Sequence, residues 1–178
     1  MIDNKNVTVN IAYQNKWKLV CHRLPGIEFH CKSVEFPSIS LQPIQSNTPV
    51  GKFHVGGKII DYGQFTFNFQ IDEKFLNYQT IFDWMVGISG SIDITKYKEL
   101  VMGTKEITLL KDQHNIYTDA TLVSLTNSMN SETEFLIRNM FPINLSAPTF
   151  SFDTDQPNTA SVTFQTDYYE IVTKNKIS

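Results

Sequence analysis

Gln64-Phe65-Thr66-Phe67-Asn68-Phe69-Gln70-Ile71 runs directly into Asp72-Glu73-Lys74-Phe75-Leu76-Asn77-Tyr78-Gln79-Thr80-Ile81-Phe82-Asp83-Trp84-Met85-Val86-Gly87. The change of rhythm between these two halves decides the fold class. In the first half polar and apolar residues alternate at every step, the period of a strand with one buried face. In the second, Phe75, Tyr78, Phe82 and Met85 recur at helical spacing, and Leu76, Ile81 and Trp84 widen them into an apolar stripe. Asp72 stands where an N-cap belongs, Glu73 puts a carboxylate in the first turn, and Gly87 suits a C′ stop. The expectation is a strand followed by an amphipathic helix from about Glu73 to Val86, packed against a sheet.

The same period of two appears on both sides of this unit. Upstream, Trp17, Leu19 and Cys21 alternate with Lys18, Val20 and His22, and Ile27, Phe29 and Cys31 alternate with Glu28, His30 and Lys32. With Leu24-Pro25-Gly26 as the turn, these predict a hairpin in which Cys21 opposes Cys31, because a one-residue slip would send the apolar set to the wrong face. Residues 36–63 hold Pro37, Pro43, Pro49, Gly51, Gly56, Gly57 and Gly63 around short apolar pieces such as Lys52-Phe53-His54-Val55. A connection of this length is usually functional or an extended arm. After a polar loop around Ser89 to Thr104, strands are expected at Lys105–Leu110, Ala120–Thr126, Thr133–Arg138 and Thr159–Ile171. In the last of these, Ala160, Val162, Phe164, Thr166 and Tyr168 share the buried face. Strands segregated from one long helix give an α+β fold, mainly an antiparallel β-sandwich or partial barrel.

Composition agrees. The chain has 178 residues, 41% hydrophobic and 19% charged, enough for one core and far from a disordered composition. No Pro/Gly-rich linker or internal repeat divides it, so a single domain over 1–178 is expected, with an N-terminal arm at 1–13, the long arm at 37–63 and a tail at 172–178. Thirteen Phe and seven Tyr favour a pleated, half-buried surface. Fifteen Lys plus Arg against 18 Asp plus Glu give a net charge of −3, with the basic residues scattered as in Lys16, Lys18, Arg23 and Lys32. That argues against the cationic stripe that tight nucleic-acid binding needs. No window approaches the ~20 apolar residues of a membrane span, and Met1 to Asn10 lack a signal-peptide core. A chain kept in a cytoplasm is implied, where Cys21 and Cys31 are buried thiols and the glycosylation triplets at Asn6 and Asn144 have no meaning.

The residues that could carry chemistry do not form a site. Cys21-His22 and His30-Cys31 suggest a metal centre, but alternation sends the cysteines to one face and the histidines to the other, leaving only His22, His30 and Glu28 to converge. Gly57-Lys58 fails as a phosphate loop, since Lys52 and Ile59 stand where Gly and Ser or Thr are required. Gly87-Ile88-Ser89-Gly90-Ser91 misses the nucleophile elbow at Ser91. The pairs Asp153 with Asp155 and Asp167 with Glu170 read as solvated carboxylates, and His54 and His114 as surface histidines. No catalytic residue, metal or cofactor is expected.

The order of features resembles the tail-tube proteins of T4-like contractile-tailed bacteriophages. The matching pieces are Trp17 to Cys21; Phe29-His30-Cys31-Lys32-Ser33-Val34-Glu35-Phe36-Pro37; the loop with Thr48-Pro49; the Phe65 strand; the helix opened by Asp72-Glu73 and holding Tyr78, Ile81, Phe82 and Trp84; Phe141-Pro142-Ile143-Asn144-Leu145; and Asp167-Tyr168-Tyr169-Glu170-Ile171. They span most of the chain. The resemblance implies a structural virion protein whose sheet joins those of its neighbours into a β-barrel ring of about six subunits. The helix would lie outside the ring, and genomic DNA would pass through its lumen without specific binding. Stacked rings of the same chain and the sheath, neck or baseplate proteins would be the partners, with no membrane. Val9, Ile11, Ile44, Pro49, Val50, Phe53, His54, Tyr168 and Tyr169 are the candidate residues for contacts between subunits or rings, unless the arms pack over their own subunit. The resemblance covers end rings equally, a tail-completion or terminator protein or a baseplate initiator. A small β-rich binding module, with a ligand on the His22 and His30 face or in the helix groove, is the reading from a different class.

Overall fold

The computed structural model describes residues 12–90, 116–153 and 155–173. In chain order the elements are β1 (Trp17–Cys21), the helical turn α1 (Ile27–His30), β2 (Cys31–Glu35), β3 (Ile39–Leu41), β4 (Ile44–Thr48), β5 (Gly51–Val55), β6 (Ile60–Tyr62) and β7 (Phe65–Gln70). There follow α2 (Leu76–Ser89), β8 (Thr118–Leu125), β9 (Ser131–Leu145), β10 (Thr159–Gln165) and β11 (Tyr168–Thr173). The expected strand at Lys105–Leu110 and most of the polar loop lie outside the described residues.

The main sheet runs β1-β8-β9-β10-β7-β2, with β11 also on β9, and every pairing is antiparallel. Among the described residues this is a mostly β fold, as the alternation predicts, with one long helix and no closed barrel. The 15-residue β9 belongs to both halves: its first part pairs with β8 and β11, its second with β10. Asn139 marks the change with φ 53, a left-handed conformation in which a short polar side chain is favoured among non-glycine residues. Asp119 Oδ1 accepts from its backbone N–H at 3.0 Å, and its side-chain amide donates to Asp167 Oδ2 at 2.9 Å. Beside it, the Arg138 guanidinium donates to Asp119 Oδ2 at 2.7 Å.

The Phe65 strand does what its alternation requires. Phe65, Phe67 and Phe69 are fully buried, opposite the equally buried Phe164, Val162 and Ala160 of β10. Phe67 and Phe164 stack at 5.4 Å between ring centroids, within the range where offset aromatic pairs are favourable. Helix α2 covers this face with Ile81 and Trp84, and the indole N–H donates to the Ile116 carbonyl at 3.0 Å. Leu19, Cys21, Ala120, Ile137 and Met140 join the same core from the other half.

Three local expectations are corrected. The helix begins and ends three residues later than expected, at Leu76 and Ser89. Asp72 is not its cap: Phe75 holds that position with φ 57 and no side-chain cap bond. The Asn77 amide instead ties the strand end to the helix, accepting from the Asp72 N–H at 3.3 Å and donating to the Gln70 carbonyl at 2.8 Å. Gly87 is buried within the helix, and Gly90 at φ 59 ends it.

The larger correction concerns the hairpin. β1 pairs with β8, where Cys21 faces Ala120, and β2 pairs with β7, where Cys31 faces Phe69. The two strands are the opposite ends of the sheet order rather than partners. Leu24 and Ile27 are buried, and successive turns, Leu24 N–H to the Cys21 carbonyl and Ile27 N–H to the Leu24 carbonyl, both 3.2 Å, feed the helical turn α1. Gly26 at φ 83 takes the left-handed geometry this path needs. Burying both apolar residues under the core redirects the chain from one half of the sheet to the other.

Candidate functional site, a two-tier hairpin arm

Residues 39–62, read from sequence as an irregular connection, fold into a hairpin in two tiers. The inner tier pairs β3 with β6, with Ile39 opposite Tyr62 and Leu41 opposite Ile60. The outer pairs β4 with β5, with Ile44 opposite Val55, and Pro49-Val50 forms the tip. Between the tiers the chain carries Pro43, which has no N–H to donate, and Gly57, where a Cβ would overlap the backbone oxygen of Gln42. Only glycine permits that approach.

Cross-strand register sorts the side chains of each tier. Opposed residues share a face and neighbours along a strand alternate. In the inner tier Ile39, Leu41, Ile60 and Tyr62 therefore lie together, with Ser40 and Asp61 opposite. In the outer tier Ile44, Phe53 and Val55 lie together, with Gln45, Lys52 and His54 opposite. Each tier thus has an apolar face, yet these faces are open to solvent: Ile39, Leu41, Ile44, Val55 and Ile60 are about half exposed, Phe53 is 56% exposed and Val50 at the tip 93%. Single exposed apolar residues are ordinary, but a contiguous series on a projecting element marks an interaction surface.

The root of the arm is well anchored. Gly63 N–H donates to the Ser38 carbonyl at 2.8 Å. Tyr169 of β11 receives Phe36 at 4.6 Å and Tyr62 at 5.3 Å between centroids, and Phe36 also meets Phe135 at 5.0 Å, all edge to face. The arm is thus held at its base by an aromatic cluster while its outer tier projects.

Of the sequence candidates, Ile44 and Phe53 fall on the apolar face, Pro49 and Val50 at the tip, and His54 on the polar face. Tyr169 lies at the root, partly buried, whereas its neighbour Tyr168 points away and is 40% exposed. Val9 and Ile11 lie outside the described residues. Missed from sequence were Ile39, Leu41, Val55 and Ile60; the triplet Ile39-Ser40-Leu41 carries the strand alternation in a piece too short to weigh alone. The expected face of the last strand holds through Thr166, which is buried, and breaks at the exposed Tyr168, because β11 leaves β10 and pairs with the other part of β9. Asp153, Asp155, Asp167 and Glu170 are all exposed, as expected of solvated carboxylates; Asp167 also accepts from Asn139, and Glu170 lies 3.9 Å from Arg138. Cys21 and Cys31 are free thiols, and burial raises both, Cys31 to about 12. Among the described residues no group of three His, Cys, Asp or Glu could hold a metal ion, and no helix is long and apolar enough to cross a membrane.

Comparison with known proteins adds a family and a fold. Residues 5–172 match the model of a family described as phage tail tube protein. The fold is similar to that of the tube-terminating cap of the anti-feeding prophage, with a TM-score of 0.60 and 14% identity, covering 97% of this chain and 98% of that one. A chain of the sheath–tube complex of an extracellular contractile injection system is similar over 94% of both chains, with a TM-score of 0.58 and 15% identity. A chain from the sheath/tube terminator of that type of system gives a TM-score of 0.58 at 15% identity, over 93% of this chain and 99% of that one. At such identities the likeness is one of fold. No match was found among curated protein sequences.

Proposed function

The chain belongs to the phage tail tube protein family, and from that premise we propose that it is a structural ring subunit of the inner tube of a contractile phage tail. About six copies close around a channel that passes DNA, and rings stack on one another. Its activity is assembly, not catalysis. The observation that carries this reading is the two-tier arm, a rooted hairpin whose apolar faces lack cover among the described residues. An arm of this kind fits a neighbouring ring, with Ile44, Phe53, Val50 and Pro49 as contacts and His54 on the solvent side.

The sheet edges support the same reading. Among the described residues β1 pairs only with β8 and β2 only with β7, so both leave a row of backbone groups that a neighbouring subunit can extend. A net charge of −3 suits a conduit that must not retain phosphates. Sheath, neck or baseplate proteins complete the partners, and the virion tail is the proposed location.

Deleting Gln45 to Val55 tests the proposal. The deleted protein stays soluble and loses ring stacking in electron micrographs; normal tubes from it would refute the role of the arm. The fold likeness to a tube-terminating cap favours a second reading, an end ring of the same architecture. Copies per virion separate the two, many for a tube subunit and a single ring's worth for a terminator.

A further inference from the structure

Between the two outermost strands of the described sheet, an open cleft of about 580 Å³ lies with β1, β8 and β9 on one side and β2 on the other. Trp17, Val34, Leu122 and Phe135 give it an apolar lining, and Lys16 and Lys32 add positive charge. Lys32 is exposed. The Lys16 ammonium donates to the Asn127 carbonyl at 2.9 Å and lies 5.9 Å from the Tyr13 ring. A volume of this size is in the range of clefts that bind a compact apolar group, here with cations to orient it.

Among the described residues, two exposed apolar projections are placed to enter such a cleft on another copy. One is the arm tip, with Val50 and Phe53, but it brings Lys52 towards Lys16 and Lys32. The other is the connection between β9 and β10, where Phe150 is 75% exposed and Phe152 is fully exposed. Phe150 is stacked on Phe75 at 6.0 Å, which fixes the base of this projection and leaves Phe152 as its outermost ring. Asp153 and Asp155 follow, both exposed. Like charges oppose the first arrangement and opposite charges favour the second.

We infer that Phe152 of one copy seats in the cleft of its neighbour in the ring, with Asp153 and Asp155 facing Lys16 and Lys32. The contact joins two different patches, so it propagates head to tail and closes into a ring when the rotation permits. It also sits on the free strand edges: Trp17 belongs to β1 and Val34 to β2, so the knob enters at the seam where a neighbour would extend the sheet. The inference rests on the ring reading proposed above and assigns residues to its lateral contact.

Charge reversal with rescue tests it on the full chain. The expected result for wild-type protein is rings by electron microscopy and sedimentation. Lys32→Glu, the double variant Asp153→Lys/Asp155→Lys, and Phe152→Asp each raise the concentration needed for rings by at least roughly tenfold, as loss of a central aromatic or charged contact does. Combining Lys32→Glu with Asp153→Lys/Asp155→Lys restores much of the loss, a result that general damage to the subunit would not give. Paired Lys32→Cys and Asp153→Cys proteins form an intermolecular disulfide on oxidation, while each single variant does not. Wild-type rings together with unchanged assembly of all the variants would overturn this contact and leave the ring reading standing. If Val50→Asp blocks ring closure while Phe152→Asp does not, the arm tip fills the cleft and the inference is wrong. Wild-type protein that stays monomeric at high concentration would overturn the ring reading and this contact with it.

Discussion

Phe53→Ala separates an arm that docks elsewhere from one that packs on its own subunit. Phe53 retains 56% exposure in the subunit, so of the roughly 200 Å² that a Phe side chain can bury, about 110 Å² remains for a partner to cover. At ~25 cal/mol per Å² this is about 2.8 kcal/mol, of which an alanine methyl recovers a small part, leaving a loss of about 2 kcal/mol per arm. That corresponds to a roughly 30-fold weaker contact. The subunit itself should hardly notice, because exposed substitutions away from special features typically change stability by about 0.5 kcal/mol or less. Light scattering and sedimentation give the critical concentration for tube growth, and thermal unfolding of dissociated subunit gives its Tm. The expected outcome is a critical concentration roughly 30-fold higher with an unchanged Tm. His54→Ala, on the opposite face, leaves both unchanged. A Phe53→Ala protein that polymerises at the wild-type concentration, or loses subunit stability instead, would refute the argument.

Other outcomes follow from the core and the chain turns. Phe164→Ala removes a fully buried ring stacked on Phe67 and tilted against Phe65 and Trp84; it should cost about 3–5 kcal/mol in urea unfolding. Gly57→Ala puts a methyl into the Gln42 backbone and should part the two tiers, lowering tube yield while the core Tm stays near wild type, a combination visible by hydrogen exchange of residues 39–62. Asn139→Val places a β-branched residue at positive φ and removes the bond to Asp167, for a loss of about 1–3 kcal/mol by the same unfolding assay. Cys31, raised to about 12 by burial, remains a thiol when an unfolded cysteine has ionised. Its contribution to stability is complete below about pH 9 and falls as pH rises towards 12. Iodoacetamide should therefore label Cys31 much more slowly than a free cysteine at pH 8.5, and Cys31→Ser should flatten the alkaline part of the stability curve.

The fold was legible where a pattern was long enough to be unambiguous. Seven residues of strict alternation from Phe65 to Ile71 leave one answer, whereas the helix stripe holds only in part: Ile81 and Trp84 are buried and Tyr78 and Met85 partly so, but Phe82 and Leu76, expected on the same stripe, are half exposed. The hairpin was misread because Ile27 and Cys31 satisfy a period of two and also stand four apart, the spacing of one helical turn. Only the burial of Leu24 and Ile27 distinguishes the two, and burial depends on residues far along the chain. Helix boundaries moved because the Asn77 side chain, not Asp72, ties the strand to the helix. The arm was foreseen as a projection but not as a hairpin: its strands are three and five residues long, and Pro43 and the glycines interrupt the alternation that register restores. The packing of Tyr169 against Phe36 and Tyr62 joins residues far apart in the chain and has no local pattern to announce it.

β9 has a mechanical consequence. At ~3.3 Å per extended residue its fifteen residues span at most about 50 Å, and this one covalent ribbon is hydrogen-bonded into both halves of the sheet. A load on β11 or β8 reaches β10 along peptide bonds and ladder hydrogen bonds, without relying on side chains that can slide past one another. The turn at Asn139, pinned from Asp119 and Asp167, makes that ribbon a braced girder, and a pipe assembled from such girders resists flattening when its surroundings shorten and twist.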